Sequence, residues 1–297
     1  MKYAESMPSD DLRPWYERKA SNRSRELAVD LVSYCVGLEF GLWNRSTPTE
    51  CRVEFDDFFG PLPQPRPAIN GEPAFLASSG IAVCAENSPD DFVVQLENSL
   101  TEQTQNDNIV AEVVNALGVS SLREYLTRTG KKSFWDDHLK RYKRSRRKAP
   151  IYLPLVSGKK SIAIWLFYYR FDRDTLPKIQ TKILEPMIRQ VTTKLESLEE
   201  SKSLSKEPKD RRDFDQGIEE EEVRISELTK LHQSIRELTE LNLEPNLSDG
   251  VVVNIAMLRE VLSWEVCSQA WTDLINGKYD WSSISEQLRE KGLVKDQ

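Results

Sequence analysis

"LEPMIRQVTTKLESL", residues 184–198, decides the fold class. Leu184, Ile188, Val191, Leu195 and Leu198 step by four, three, four and three, the heptad seam of a helix that packs lengthwise on another. At about 1.5 Å per residue the segment extends ~21 Å. Pro186 falls inside it, so the helix starts or kinks there. Downstream, Leu228, Leu231, Ile235 and Leu238 repeat the same stepping. Between the seams lies "ESKSLSKEPKDRRDFDQGIEEEE", residues 200–222, a charged low-complexity stretch. It reads as a mobile joint, open to proteases between Ser201 and Gly217. The run Glu219–Glu222 then sits at the N-terminus of the second helix, where the helix dipole favours negative charge. The pair predicts an antiparallel helical hairpin at about 177–242.

Upstream of the first seam the period changes to that of strands. "IYLPLV" and "SIAIWLFYY" flank "SGKK" and read as a β-hairpin. Pro154 withholds an N–H and so confines the first strand to an edge or a bulge. "GIAVCA" at 80–85 is a further short strand. Helices are expected over Phe92–Leu100 and Ile109–Leu117, and in "SSLREYLTRT", with Ser120 or Ser121 as cap and Glu124 closing the capping box. Asp11–Trp43 reads as mostly helix, with Leu27, Leu31, Tyr34, Cys35 and Leu38 on one face. "GPLPQPRPAINGEP", residues 60–73, has five prolines and two glycines and is a linker or an extended loop. "LEPNLSDGVVVN" predicts a turn into a short strand, and the chain closes in helices carrying Trp264, Trp271 and Trp281. The fold class is α+β and helix-dominated, with a small β-hairpin or sheet element and a long helical hairpin. Two regions follow: 1–76, a helical segment with the Pro-rich linker, and 77–297, a basic α+β module.

Composition narrows the function. A chain of 297 residues buries a core, but 39% apolar and 30% charged residues fit long solvated helices better than a compact α/β enzyme. The start, MKYAESMPSDD, has no apolar signal region. No apolar run reaches the ~18 residues of a membrane helix. The four cysteines are scattered without a C-x-x-C pair, and the two histidines, His138 and His232, lie far apart. A reduced, cytoplasmic protein with no metal site and no membrane partner is the expectation. No G-x-G-x-x-G, P-loop, G-x-S-x-G or H-E-x-x-H motif occurs, and no complete catalytic constellation is visible.

The feature that asks for a function is "KRYKRSRRK", residues 140–148. Lys140, Arg141, Lys143, Arg144, Arg146, Arg147 and Lys148 place seven cations in nine residues of a chain whose net charge is −7. Without them the remainder stands at −14, so charge is segregated along the sequence. The strip reads as a basic helix or irregular arm that continues from Phe134 and is stopped by Pro150. It reads functionally in two ways. One is a solvated face, or a salt-bridge partner for Glu219–Glu222. The other is a phosphate grip. Four arginines fork onto phosphate oxygens, Tyr142, Tyr152 and Trp135 offer stacking surfaces, and Lys159 and Lys160 add charge at the hairpin turn. Such contacts fix register on a duplex without reading its sequence.

A resemblance enters at "FWDDHLKRYKRSRRKAPIYLPLVSGKKSIAIWLFYYRFDRDTL", residues 134–176. This stretch is similar to the C-terminal part of PglX-like adenine-specific DNA methyltransferases of BREX phage-defence systems and of related large restriction–modification enzymes. Phe171–Leu176, Leu247–Asn254 and "GKYDW" at 277–281 fill three further blocks of the same pattern. Upstream, "LVSYCVGLEFGLWN", "GIAVCAENSPDDFV" and "VVNALGVSSLREYL" follow in the family's order, so the resemblance covers roughly residues 25–297. It implies a role in DNA handling with S-adenosylmethionine as the cofactor of the full enzyme. The glycine turn that binds the cofactor and the N-P-P-[YF] motif that holds the flipped adenine do not occur here. The resemblance therefore implies a non-catalytic, DNA-binding and partner-binding portion with no cofactor of its own. Its partners would be duplex DNA and a separate catalytic chain or other defence-complex subunits. The alternative is a stand-alone protein–protein interaction subunit of such a complex, without DNA binding.

Overall fold

The computed structural model describes residues 21–42, 79–86, 91–144, 147–157, 162–262 and 264–295. The Pro-rich stretch 60–73 and the expected boundary near residue 76 lie outside them. The chain divides into two compact units, Met1–His138 and Leu139–Gln297.

The first unit is built on α1 (Ser21–Glu39), β1 (Ile81–Cys84), α2 (Phe92–Thr104), α3 (Ile109–Leu117) and α4 (Leu122–Thr127). α1 buries Ala28, Val32, Cys35 and Val36, whereas Tyr34 of the expected face is exposed. All four residues of β1 are buried. Two charged devices set helix starts. Asp91 caps α2 by accepting from the Val93 N–H at 3.2 Å and pairs with Arg123. Ser121 Oγ accepts from the Glu124 N–H at 3.1 Å, while the Glu124 carboxylate takes the Ser120 N–H at 2.8 Å, which is the expected reciprocal cap. α3 ends at Gly118, whose φ of +68° lets the Val119 N–H close back on Val114. Buried Asp137 is satisfied by Arg25, at 3.1 and 2.6 Å, and by the Tyr125 hydroxyl at 3.0 Å.

α5 (Phe134–Arg141) ends where the second unit begins. The basic strip is not a continuing helix. It forms a two-strand ribbon, β2 (Lys143–Arg144) antiparallel to β3 (Arg147–Lys148). β4 (Tyr152–Val156) and β5 (Ala163–Phe167) make the expected hairpin, with Tyr152 opposite Phe167 and Val156 opposite Ala163. Pro154 stays in register opposite Trp165, so there is no bulge; β4 is an edge strand, where a missing N–H costs no ladder bond.

The helical hairpin is present and longer than its seams. A rod runs from α6 (Thr175–Lys178) through a π-helical turn, Ile179–Leu184, into α7 (Glu185–Leu204). The wide turn ends just before Pro186, which has no N–H to give and would crowd the preceding carbonyl in a regular helix. α8 (Pro208–Glu240) returns antiparallel: Leu198 lies against Gly217, Lys202 pairs with Asp215 at 2.5 Å, and Lys194 pairs with Glu221. Leu184, Val191, Leu228, Leu231, Ile235 and Leu238 are buried, whereas Leu195 and Leu198 near the tip are half-buried. The expected long joint is corrected. Residues 201–217 are helical except for Ser205–Glu207, and Pro208 opens α8 from its first turn. Glu219–Glu222 is therefore mid-helix, and Glu221 pairs with Lys194 and Arg224.

The expected strand at the end of "LSDGVVVN" is also corrected: Val251–Ile255 is a helix, α9. Buried Asn254 clamps the preceding loop. Its amide donates to the Asn246 carbonyl (2.6 Å), the Gly250 carbonyl (3.1 Å) and the Tyr168 hydroxyl (3.0 Å), and its oxygen accepts from the Asn246 N–H at 2.9 Å. α10 (Glu265–Ile275) and α11 (Ser283–Glu290) close the unit. Trp264 and Trp271 are buried, with the Arg259 guanidinium 3.8 Å over the Trp271 ring, but Trp281 is 63% exposed in the turn between the two helices.

Candidate functional site

The strip becomes a site because α5 stops at Arg141 and the chain turns at Tyr142 into the ribbon. Register sets Lys143 opposite Lys148 and Arg144 opposite Arg147, so both cross-strand pairs join residues of like charge. Such pairs destabilise an antiparallel ladder. A two-rung ladder has little hydrogen bonding with which to offset that repulsion. A polyanion laid along it would remove the conflict.

The root of the ribbon is fixed. From β3 the chain passes Ala149 and Pro150 to Ile151, whose carbonyl accepts the Tyr168 N–H at 2.8 Å, one rung beyond the Tyr152–Phe167 pair. The ribbon therefore springs from the open end of the β4–β5 hairpin. Lys140 and Arg141 are both exposed at the end of α5. Arg146, Lys159 and Lys160 lie outside the described residues. The strand ends leading to Lys159 and Lys160 are Val156 and Ala163, at the far end of the hairpin. Four residue steps at ~3.4 Å separate the two ends by about 14 Å.

The expected stacking surfaces are revised. Trp135 and Tyr152 are buried and present no face to a ligand. Burial pushes the Tyr152 phenol far above its ordinary value, with the Tyr142 phenol adding to the shift. Tyr142 is half-buried. Its own pKa is raised by burial, opposed by the Arg141 cation and reinforced by the phenol of Tyr169. Sequence reasoning missed Tyr169, which is 52% exposed. Its ring makes T-shaped contacts with Phe167 and Tyr168, each at a centroid distance of 5.6 Å, and both of those rings are buried. The next residue, Arg170, is half-buried, and desolvation lowers its pKa. The signal was the "YYR" that follows β5. It lies in a 3-10 turn, where alternation along a strand no longer tells inside from outside.

Other chemistry finds little material. Among the described residues no group of three or more His, Cys, Asp or Glu is placed to hold a metal ion. Cys35, Cys84 and Cys267 are buried free thiols; burial pushes Cys267 up to about 12 and Cys84 higher still, which leaves both without thiolate at neutral pH. His138 is buried in stacked contact with Phe134 and Trp135. The described glycines with positive φ are Gly41, Gly80, Gly118, Gly250, Gly277 and Gly292, and none follows a strand to make the cofactor-binding turn. Among the described residues no helix is long and apolar enough to cross a membrane.

No protein-family model matches the chain. It is 26% identical over 164 residues, 54% of its length, to the adenine-specific methyltransferase PglX of Lacticaseibacillus casei strain Zhang. It is likewise 26% identical over 149 residues, 49% of its length, to the adenine-specific methyltransferase BrxX of Escherichia coli O9:H4 strain HS. The relationship is PglX-like. The matched stretch covers 13% of the first relative and 11% of the second, so the chain spans a small part of the PglX-like proteins that it resembles.

Proposed function

We propose that this chain is a DNA-binding, non-catalytic portion of an adenine-specific (N6) methyltransferase system of the BREX or restriction–modification type. The observation that carries the reading is the ribbon with its like-charged pairs, Lys143–Lys148 and Arg144–Arg147, on a chain of net charge −7. Lys140, Arg141, Arg146, Lys159 and Lys160 add to the same positive charge in this reading. The cations neutralise phosphates and release counterions; they set the orientation of the duplex and leave base reading to other residues. Methyl transfer and S-adenosylmethionine belong to a separate catalytic chain or domain in this reading, consistent with the missing glycine turn and N-P-P-[YF] motif. The partners are duplex DNA and that catalytic portion, and the compartment is the cytoplasm.

The test is fluorescence anisotropy of a labelled duplex across a salt series. With about four phosphates neutralised, the log–log slope is roughly −3.6, at ~0.9 per phosphate. Arg144→Ala with Arg147→Ala should weaken every sequence alike and flatten the slope by about 2. Absent binding, or binding indifferent to salt, overturns the proposal. A second reading, a protein-interaction subunit of a defence complex, is favoured by the exposed Trp281 in "GKYDW". In that case Trp281→Ala impairs complex assembly while DNA affinity is unchanged.

A further inference from the structure

We propose that Tyr169, standing beside the basic ribbon, is a stacking platform for one unpaired nucleobase, so that the interface prefers DNA with an unstacked nucleotide to intact duplex. The inference rests on the DNA-binding reading and specifies its substrate. Three observations carry it. First, an aromatic ring 52% exposed is held by T-shaped contacts to two buried rings, Phe167 and Tyr168, so its position is set before any ligand arrives. Tyr168 is itself anchored by Asn254 through its hydroxyl at 3.0 Å.

Second, the platform and the ribbon share one root. The Ile151 carbonyl, three residues past the end of β3, takes the Tyr168 N–H at 2.8 Å, so Tyr169 follows directly on the rung that the chain enters from β3. The phenol of Tyr169 also lies close enough to Tyr142, the residue that opens the ribbon, to perturb it. Third, the neighbours suit a nucleotide. Arg141 is exposed at the end of α5, and Arg170 follows Tyr169 directly. A cationic track beside an exposed aromatic ring is the arrangement by which proteins hold unpaired strands, since every base has a π-face and stacks without regard to sequence. Paired bases in a duplex are already stacked and cannot use it. Trp281 is more exposed, but it lies in the turn between α10 and α11, outside the β4–β5 hairpin into which β3 leads.

The experiment uses the full chain and three labelled DNAs of equal length: a perfect duplex, the same duplex with a central bulge, and the duplex with 2-aminopurine in the bulge. The wild type should bind the bulged duplex at least about fivefold tighter than the perfect one, as expected for a single base–aromatic stack. It should also quench 2-aminopurine on binding. Tyr169→Ala should abolish both the preference and the quenching while leaving perfect-duplex affinity and its salt slope unchanged; Tyr169→Phe should keep both. A wild type that binds all three DNAs equally, or a preference that survives Tyr169→Ala, overturns the platform and leaves the phosphate grip standing. No binding to any of them overturns the DNA reading, and the platform with it.

Discussion

Replacing Asn254 by Ala tests the packing that holds the candidate interface in place. The side chain is fully buried and makes four hydrogen bonds between 2.6 and 3.1 Å. Truncation strands unequal partners. The Gly250 carbonyl keeps the Asn254 backbone N–H at 3.3 Å, and Asn246 is exposed enough to rehydrate. The Tyr168 hydroxyl stands in a buried setting and loses its donor, and the 246–250 loop loses its clamp. A net ~0.5–1 kcal/mol for each of the two loop bonds to Asn246, plus ~1–2 kcal/mol for the stranded hydroxyl, gives about 2–4 kcal/mol. For a unit of this size that lowers Tm by roughly 4–16 °C, at ~2–4 °C per kcal/mol. The measurement is urea unfolding, with an unchanged slope and a shifted midpoint as the mark of an altered stability. Hydrogen exchange should report lost protection at residues 246–254 before the rest of the unit. Because Tyr168 braces Tyr169, the variant should also lose the bulge preference more than duplex affinity. A variant within about 0.5 kcal/mol of wild type, the ordinary spread of surface substitutions, would refute the reasoning.

Two further outcomes are expected. Ile235→Ala should cost ~2–5 kcal/mol because Ile235 is fully buried in the hairpin, and Leu195→Ala clearly less, since Leu195 is half-buried; equal costs in urea unfolding would contradict the gradient from base to tip. In the same hairpin, limited proteolysis should cut at Ser205–Glu207 and leave the two fragments associated on a sizing column. Glu124 is held down to about 2, chiefly by the Ser120 hydroxyl and N–H and also by Arg128. A depressed folded pKa gives stability that is present above the ordinary 4.5 and is lost as pH falls toward 2, so Glu124→Gln should remove that component of acid unfolding from the α4 region.

How far the sequence was legible depends on which kind of signal each element carried. The hairpin seams were readable because heptad stepping at Leu184–Leu198 and Leu228–Leu238 is a long-range pattern that few other folds produce. β4 and β5 were readable because two apolar runs flank a short Gly-Lys-Lys segment in the sequence. The Ser121–Glu124 cap was readable because its chemistry is local. The failures have physical causes. Residues 201–217 look like a linker by composition, yet Lys, Glu and Arg are good helix formers, and ion pairs such as Lys202–Asp215 join the two exposed helices there. Val251–Val253 has strand propensity, but Gly250 at φ +95° and the Asn246–Ser248 cap turn the chain into a helix, with Val253 and Asn254 buried.

The site was legible in its charge and hidden in its geometry. Seven cations at 140–148 raise the polyanion reading on counting alone, beside that of a solvated face. A helix would have spread them around a cylinder at 3.6-residue intervals and let neighbours three and four apart repel on one face. The ribbon instead pairs like with like across two strands, one following α5 and the other running on to Ile151. An isolated ribbon of two rungs has no independent stability in water. Its register is held by the end of α5 on one side and the Ile151–Tyr168 bond on the other, and the proposed DNA contact would add an anion over the top. The ribbon amides should therefore exchange quickly in the free protein and gain protection on binding DNA, while those of β4 and β5 stay protected throughout. Equal protection of the ribbon with and without DNA would show that the protein alone suffices to hold it, and would remove the reason for reading its like-charged pairs as a binding device.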